Sequence, residues 1–331
     1  MTHRPSLDPA VAEVRRAVRA ALAAIPARST VVVALSGGAD SLALAAATAF
    51  EAPKAGVTAV AVIVDHGLQE GSMDAAAAAS ITAQRLGLEA RVVRVDVGAA
   101  GGPEAAARTA RYGALRAAAQ DLAAAAVLTG HTLDDQAETV LLGLARGSGA
   151  RSLQGMATAS DLDGVLLLRP LLEVRRATTA AACSAEGLEP WTDPQNSDAR
   201  FARVRVRDAV LPLLESELGP GIAEALARTA AQLREDSDAF DEMIDETIED
   251  IVEHAEAGIS VSVAALAANP AALRHRIIRH IVAAEFGESL TRAQTLEVAR
   301  LVTDWAGQGP LDLPGCRVRR AGGRLEFTAR T

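Results

Sequence analysis

The segment Val31-Val32-Val33-Ala34-Leu35-Ser36-Gly37-Gly38-Ala39-Asp40-Ser41 constrains the fold more than any other stretch of the chain. An apolar, β-branched run stops abruptly at Ser-Gly-Gly, and Leu42-Ala43-Leu44-Ala45-Ala46-Ala47 comes next with a helical composition. The order is buried strand, tight turn, helix N-terminus. Glycine lets the chain turn sharply and approach a ligand with no Cβ in between. The first-turn amides of a helix lack intrahelical partners and carry the positive end of its dipole, which suits phosphate. Ser36 and Ser41 add hydroxyl donors. Asp40 would repel a bare phosphate, so it fits beside a bound cation or as a helix cap. A magnesium–nucleotide complex accommodates all of these features together. A Walker A loop needs Lys where Asp40 stands, and the dinucleotide fingerprint needs a third Gly that is missing. An ordinary capped turn would leave the joint placement of two serines, two glycines and an Asp unexplained.

With 331 residues, half of them apolar, the chain is long for one core and suggests two domains of roughly 150 residues each. No apolar run approaches the ~20 residues of a membrane span. The N-terminal region reads as an amphipathic helix from about Pro9 rather than a signal peptide. Cys183 and Cys316 are far apart, which excludes a disulfide framework and a CxxC metal motif. A cytoplasmic protein without a membrane partner is expected. The net charge is −9, yet eleven acids fall between Glu235 and Glu256 with no Lys or Arg among them. That run reads as a solvated helix face. Arginines cluster at 200–207 and 317–324, so a polyanion can still find basic patches.

Alternation continues after the loop. A second buried strand, 57–64, leads into Asp65-His66-Gly67; a helix is expected over 73–86, a strand over 90–95 and a long helix over 104–126. A short strand then leads into Gly130-His131, and a further helix into Arg146. Strands alternating with helices imply a parallel sheet covered on both faces. Ligands of such sheets bind beyond the carboxyl ends of the strands, where Ser36, Asp65, His66, Gly130 and His131 all fall. Gly147-Ser148-Gly149 reads as a loop at the mouth of that crevice, and 162–172 as a hairpin through Asp163-Gly164. Asp134, Asp135 and Glu138 share the start of the helix after His131. Such carboxylates beside a phosphate site repel one another unless a cation lies between them, which again implies magnesium. His131 is placed to stabilise phosphate charge or to move a proton.

The Ser36–Ser41 loop resembles the pyrophosphate loop of the N-type ATP pyrophosphatases. The ordered set Val64–Leu68, Glu104–Tyr112, Gly130–Leu142 with Arg146–Gly149, Arg169–Leu172, Trp191–Asp198 and Arg203–Leu214 is similar to the tRNA(Ile)-lysidine synthetase family. One departure is Arg203-Val204, where the family usually has Arg-Asn. The resemblance implies an α/β fold, a parallel sheet sandwiched by helices (adenine nucleotide alpha hydrolase-like), followed by a smaller, mainly helical domain. The boundaries expected are an N-terminal helix over 1–28, an ATP pyrophosphatase domain over 29–217 and a substrate domain over 218–331. The last of these closes in short strands around Pro314-Gly315 and Gly322-Gly323.

The activity implied is ATP-dependent ligation of L-lysine to carbon 2 of the wobble cytidine of a tRNA(Ile) with a CAU anticodon, through an adenylated cytidine. By the same resemblance, Ser36, Gly37, Gly38, Ala39, Asp40, Ser41, Asp65, His66 and Gly130 hold ATP. Asp40, Arg111, His131, Asp134, Asp135 and Glu138 take part in the chemistry, with Asp40 and Asp135 on magnesium. Arg108, Arg203, Arg205 and Arg207 contact the tRNA. A homodimer is left open. A tRNA thiolase or a non-catalytic nucleotide-binding module are the other readings of the same loop.

Overall fold

The computed structural model describes residues 7–67, 71–98, 102–147, 149–191, 198–255 and 258–330. They divide into two compact units, Met1–Leu233 and Arg234–Thr331. The first begins with α1 (Pro9–Leu22), which Asp8 caps and which buries Val11, Val14, Val18 and Leu22 at helical spacing. Next come β1 (Thr30–Ala34), α2 (Ala39–Glu51), β2 (Thr58–Asp65), α3 (Ser72–Arg85), β3 (Glu89–Arg94), α4 (Pro103–Asp121), β4 (Ala126–Leu128), α5 (Leu133–Ala145) and α6 (Ala150–Leu153). The hairpin β5 (Ala159–Leu162) and β6 (Val165–Leu168) precedes α7 (Arg176–Ala185). The short α8 (Ala202–Arg205) continues through one π-type turn, Val206–Val210, into α9 (Leu211–Leu218).

The sheet order is β3-β2-β1-β4-β6-β5, parallel throughout except for β5. Pleating sends alternate side chains to opposite faces. Val31 and Val33 therefore join the core beneath α1, α2, α3 and α7, while Val32 joins the core beneath α4 with Leu115 and Ala119. All three valines are fully buried, which is why the strand is an unbroken apolar run in the sequence. β2 and β4 flank β1 on opposite sides, so the chain leaves β1 in one direction and later returns in the other. A crevice opens at such a reversal, beyond the carboxyl ends of the strands.

Two local outcomes differ from expectation or sharpen it. The helix expected to reach Ala126 ends at Asp121, because Ala125 N–H already bonds to Thr30 O (2.8 Å) and starts the pairing with β1. Residues 123–126 are all alanine and carry no periodicity that could mark this switch. The Asp163-Gly164 hairpin forms as expected: both residues have positive φ, +48° and +87°, as a two-residue type I′ turn requires.

In the second unit, α10 (Ile222–Ile251), which starts within the first, is followed by β7 (Val252–Ala255), β8 (Gly258–Ser262), α11 (Val263–Ala268), α12 (Ala271–Phe286), α13 (Arg292–Thr303), β9 (Leu311–Asp312), β10 (Cys316–Ala321) and β11 (Arg324–Ala329). The strands form an antiparallel sheet ordered β7-β8-β11-β10-β9, larger than the short C-terminal strands expected. Ile244, Leu266, Ile277, Ile278, Ile281 and Phe327 build its core. From Glu235 to Asp250 the acids of α10 lie on its solvated side while Ile244 points inward. The acidic run is thus the outer face of that helix.

Candidate active site

The loop between β1 and α2 meets the requirements of an anion cradle. Gly37 has φ +85°, a conformation that L side chains rarely adopt. Ser41 Oγ accepts the Ser36 N–H (3.1 Å), donates to Gly38 O (2.9 Å) and lies 3.1 Å from Ser36 Oγ, which cross-braces the turn. No side chain caps the N-terminus of α2. Its first amides are therefore available to a ligand, and Asp40 is not a helix cap. Gly130, at the end of β4, packs on this first turn: a Cβ there would lie 2.9 Å from Asp40 O and 3.1 Å from Ser41 N.

Across the crevice, Thr132 and Asp135 form a capping box at the start of α5. Asp135 Oδ2 accepts Thr132 N–H (2.8 Å), which leaves Oδ1 for the Arg176 guanidinium (2.9 Å). Glu138, almost wholly buried, receives Arg176 Nη1 and Arg203 Nε, each at 3.0 Å. Arg176 Nε lies 3.6 Å from Asp40 Oδ2, and Thr179 Oγ1 donates to Asp40 Oδ1. One guanidinium thus stands among three carboxylates. Arg176 already places one cation among acids that would otherwise repel one another.

Burial sets most of the ionisation pattern. It pushes the carboxyls of Asp40 and Glu138 up, and the neighbouring charge of Asp135 adds to both shifts. Burial acts the same way on Asp135, but Arg176 and the Thr132 amide outweigh it and hold that carboxyl below its ordinary range. Among the described residues, Asp40 Oδ2 has only the ion pair to Arg176, which at 3.6 Å is longer than a hydrogen bond. Hard carboxylate oxygens in that condition fit a magnesium ion, which takes one or two carboxylates and completes its shell with water and phosphate.

Other expected residues are placed differently. Asp134 turns away from this set: Oδ2 accepts the backbone N–H of Arg176 (2.7 Å) at the start of α7, and Oδ1 pairs with Arg175 (3.2 Å). Arg203, expected on the RNA, faces inward to Glu138 and Thr139 (2.6 Å). Asp65 is buried at the end of β2, where its Oδ1 accepts Gly67 N–H (3.0 Å) and this bond holds its carboxyl low; His66 is the next residue. Arg205 donates to the carbonyls of Ala199 (2.7 Å) and Arg200 (2.8 Å), and Arg207 pairs with Asp208 (3.0 Å). The Thr192–Ser197 stretch and Ser148 lie outside the described residues.

His131 Nδ1 lies 3.0 Å from Thr129 Oγ1. Burial, with the charges of Arg111, Arg169 and Arg108 against that of Asp135, pushes its pKa down to about 3. A pKa this low keeps the ring neutral near pH 7, so what it can present to a ligand is a hydrogen bond rather than positive charge. Below the ordinary value of 6.5 the unfolded chain takes up this proton first, and the stability so lost accumulates as pH falls from 6.5 towards 3. In the free protein, the His131 ring resonances should stay unshifted between pH 8 and pH 5. A midpoint near 6.5 would contradict this placement. Arg111 and Arg108 lie over the Tyr112 ring, at 5.2 and 4.9 Å. Among the described residues Arg111 has no carboxylate at ion-pair distance, and burial, then Arg108, lowers its affinity for its proton. A desolvated guanidinium of this kind favours an incoming anion.

Residues 11–214 match the family model of the PP-loop domain, and residues 262–326 that of the TilS substrate binding domain. A tRNA(Ile)-lysidine synthase of Leifsonia xyli is 56% identical over 91% of this chain and 90% of its own. Those of Salinispora tropica (54%; 97% of each chain) and Thermobifida fusca (51%; 97% and 98%) are also similar along almost their whole length. The chain belongs to the tRNA(Ile)-lysidine synthase family. A U34-tRNA thiolase from Methanococcus maripaludis superposes with a TM-score of 0.59 at 20% identity, over 68% of this chain and 80% of that one, and shares the fold.

For a lysidine synthase the sequence reading missed Arg175, Arg176 and Thr179, although they stand only a few residues beyond the Arg169–Leu172 segment. The signal was available: adjacent arginines at a helix N-terminus oppose its dipole and need acidic partners. Cys183 is buried under the loop, its thiol 3.2 Å from Ala39 O, and Cys316 is buried in the second unit.

Proposed function

We propose that this chain ligates L-lysine to the wobble cytidine of tRNA(Ile) bearing a CAU anticodon. The observation that carries the reading is the meeting, at one reversal of the sheet, of an uncapped Ser-Gly-Gly loop, an acid set on two helices and an unneutralised arginine. ATP binds in the loop, with the α2 amides, Ser36 and Ser41 on the β- and γ-phosphates and Asp65 and His66 bordering the adenosine. The cytidine oxygen on carbon 2 attacks the α-phosphorus and pyrophosphate leaves. Arg111 pairs with the α-phosphate as charge builds on it. Asp40 and Asp135 would hold magnesium, which would supply positive charge for the pyrophosphate leaving group. The neutral ε-amine of lysine then adds at carbon 2, a proton is lost and AMP departs. Asp135 and Glu138 keep this chemistry surrounded by fixed charge, with Arg203 bracing Glu138.

The second unit, with its substrate-domain match, takes the RNA together with Arg108, Arg205 and Arg207. No described helix is long and apolar enough to cross a membrane, in keeping with work in the cytoplasm. The deciding assay supplies ATP, magnesium, a CAU-bearing tRNA(Ile) transcript and lysine in all combinations. AMP, pyrophosphate and lysidine should accumulate together only in the complete mixture. ATP turnover without tRNA would overturn the reading.

Exposed ion pairs such as Arg207–Asp208 contribute little to stability and can be exchanged for phosphate. Replacing Arg205 and Arg207 by Ala should weaken tRNA binding and flatten its salt dependence by ~1 unit of slope per lost contact. ATP binding should be unchanged. An unaltered slope with a lower melting temperature would make both arginines structural.

A further inference from the structure

We propose that Thr179 and Arg176, one turn apart at the start of α7, are positioning residues that fix the Asp40 carboxylate in the orientation that receives magnesium. The inference rests on the reading of Asp40 as a magnesium ligand. Asp40 sits in the first turn of α2 but makes no capping bond there. Among the described residues, its hydrogen bond and its ion pair both come from α7: Thr179 Oγ1 on Oδ1, and Arg176 Nε 3.6 Å from Oδ2.

Packing alone does not account for Thr179. It is fully buried in α7, facing Asp40 at the start of α2, and a β-branched hydroxyl residue is a mediocre helix former. A buried hydroxyl is costly unless it is bonded. This one has a single proton and two acceptors in reach, the carbonyl of Arg176 (2.7 Å) and, 139 residues away, the Asp40 carboxylate, whose charge makes it the stronger acceptor.

Arg176 adds the second point. Its planar fork reaches Asp135 through Nη2 (2.9 Å), Glu138 through Nη1 (3.0 Å) and Asp40 through Nε, which the point charge of a lysine cannot do. Asp134 accepts its backbone N–H and locks the start of α7 to α5. The separation of Asp40 on α2 from Asp135 on α5, the two carboxylates assigned to magnesium, is thereby set by a third helix.

The test is ATP binding to the full chain by equilibrium dialysis across a magnesium titration, without tRNA. Thr179→Val keeps the shape and removes the hydroxyl. It should raise the magnesium concentration for half-maximal ATP binding by about tenfold, the scale of a lost hydrogen bond to a charged acceptor. Thr179→Ser should restore the parent value. Arg176→Lys should shift the titration in the same direction. A Thr179→Val protein with the parent magnesium dependence overturns the inference, whatever its melting temperature. Should that variant fail to fold, Arg176→Lys decides, and a parent-like titration overturns the inference. Asp40→Asn separates the two layers. If it leaves the titration unchanged, the magnesium reading of Asp40 fails; if it abolishes the dependence while Thr179→Val keeps it, only the positioning role fails.

Discussion

Asp40→Asn should lower pyrophosphate release by about a thousandfold while the fold is kept. Shielding by a metal ion is worth several kcal/mol at the transition state, and each ~1.4 kcal/mol is a factor of ten in rate. The amide oxygen of Asn still accepts from Thr179, so the clasp from α7 survives. Stability should not fall. Burial, reinforced by Asp135, raises the Asp40 carboxyl above its unfolded value, so the charged form costs the folded state stability at neutral pH. That cost fades as pH drops through the raised pKa towards the unfolded one. The variant should therefore melt at or above the parent temperature at pH 7, and the two should converge on acidification. Single-turnover pyrophosphate release and calorimetry at two pH values check both halves. Near-parent release at saturating magnesium would remove Asp40 from the chemistry.

Gly130→Ala should cripple ATP binding through sterics alone. The added methyl would meet Asp40 O at 2.9 Å, Asp40 C at 3.0 Å and Ser41 N at 3.1 Å. These are backbone atoms of the phosphate-binding turn, so no rotamer change relieves the clash and the turn itself must move. Overpacking of this kind costs about 1–3 kcal/mol, a fall in melting temperature of roughly 2–4 °C per kcal/mol for a unit of this size. The KM for ATP should rise by at least ~10-fold, since ~1.4 kcal/mol of lost binding suffices. Gly113→Ala is the control. It lies in α4 with nothing within 4 Å of the new Cβ, and it should be neutral or stabilising by up to ~1 kcal/mol. Equal ATP affinity in the two variants would show that the loop tolerates displacement.

How much could be read from residues alone depended on whether the physics was local. The strand–loop–helix at 31–47 was legible because burial on both faces, the turn and the helix start each leave their own composition mark. The return to the other side of β1 was not legible in β4, a three-residue strand preceded by alanines. What was legible is that Gly130-His131 and the α5 acids fall at a strand end, on the same crevice as the loop. The acid set and its need for positive charge were legible; that Arg176 supplies part of that charge was not. Arg176 is 38 residues from Glu138 along the chain and on a different helix. Its neighbour Arg175 signals that acids must be near, but nothing in the sequence says which three carboxylates the fork meets. Arg203 misled for the same reason. Its neighbour Arg205 bonds to nearby loop carbonyls and Arg207 pairs with the adjacent Asp208, whereas only the third dimension turns Arg203 onto Glu138. His131 shows the limit for charge: the residue was found, but its neutrality comes from burial and from Arg111, Arg169 and Arg108, which no spacing rule gathers.

The two cysteines have a practical consequence. Burial, with nearby acids, pushes both thiols up to about 11. At pH 7 only about one in ten thousand of each is the reactive thiolate, and both are shielded from solvent. The native chain should therefore react only slowly with maleimides and iodoacetamides, as thiol counting on folded protein would check. A single cysteine placed at an exposed site such as Met73 would be the sole point of attachment for a fluorophore, with no need to remove Cys183 from beneath the nucleotide loop. Labelling of unmodified protein then becomes a clock for unfolding, since the two sulfurs gain reactivity only when their own unit opens.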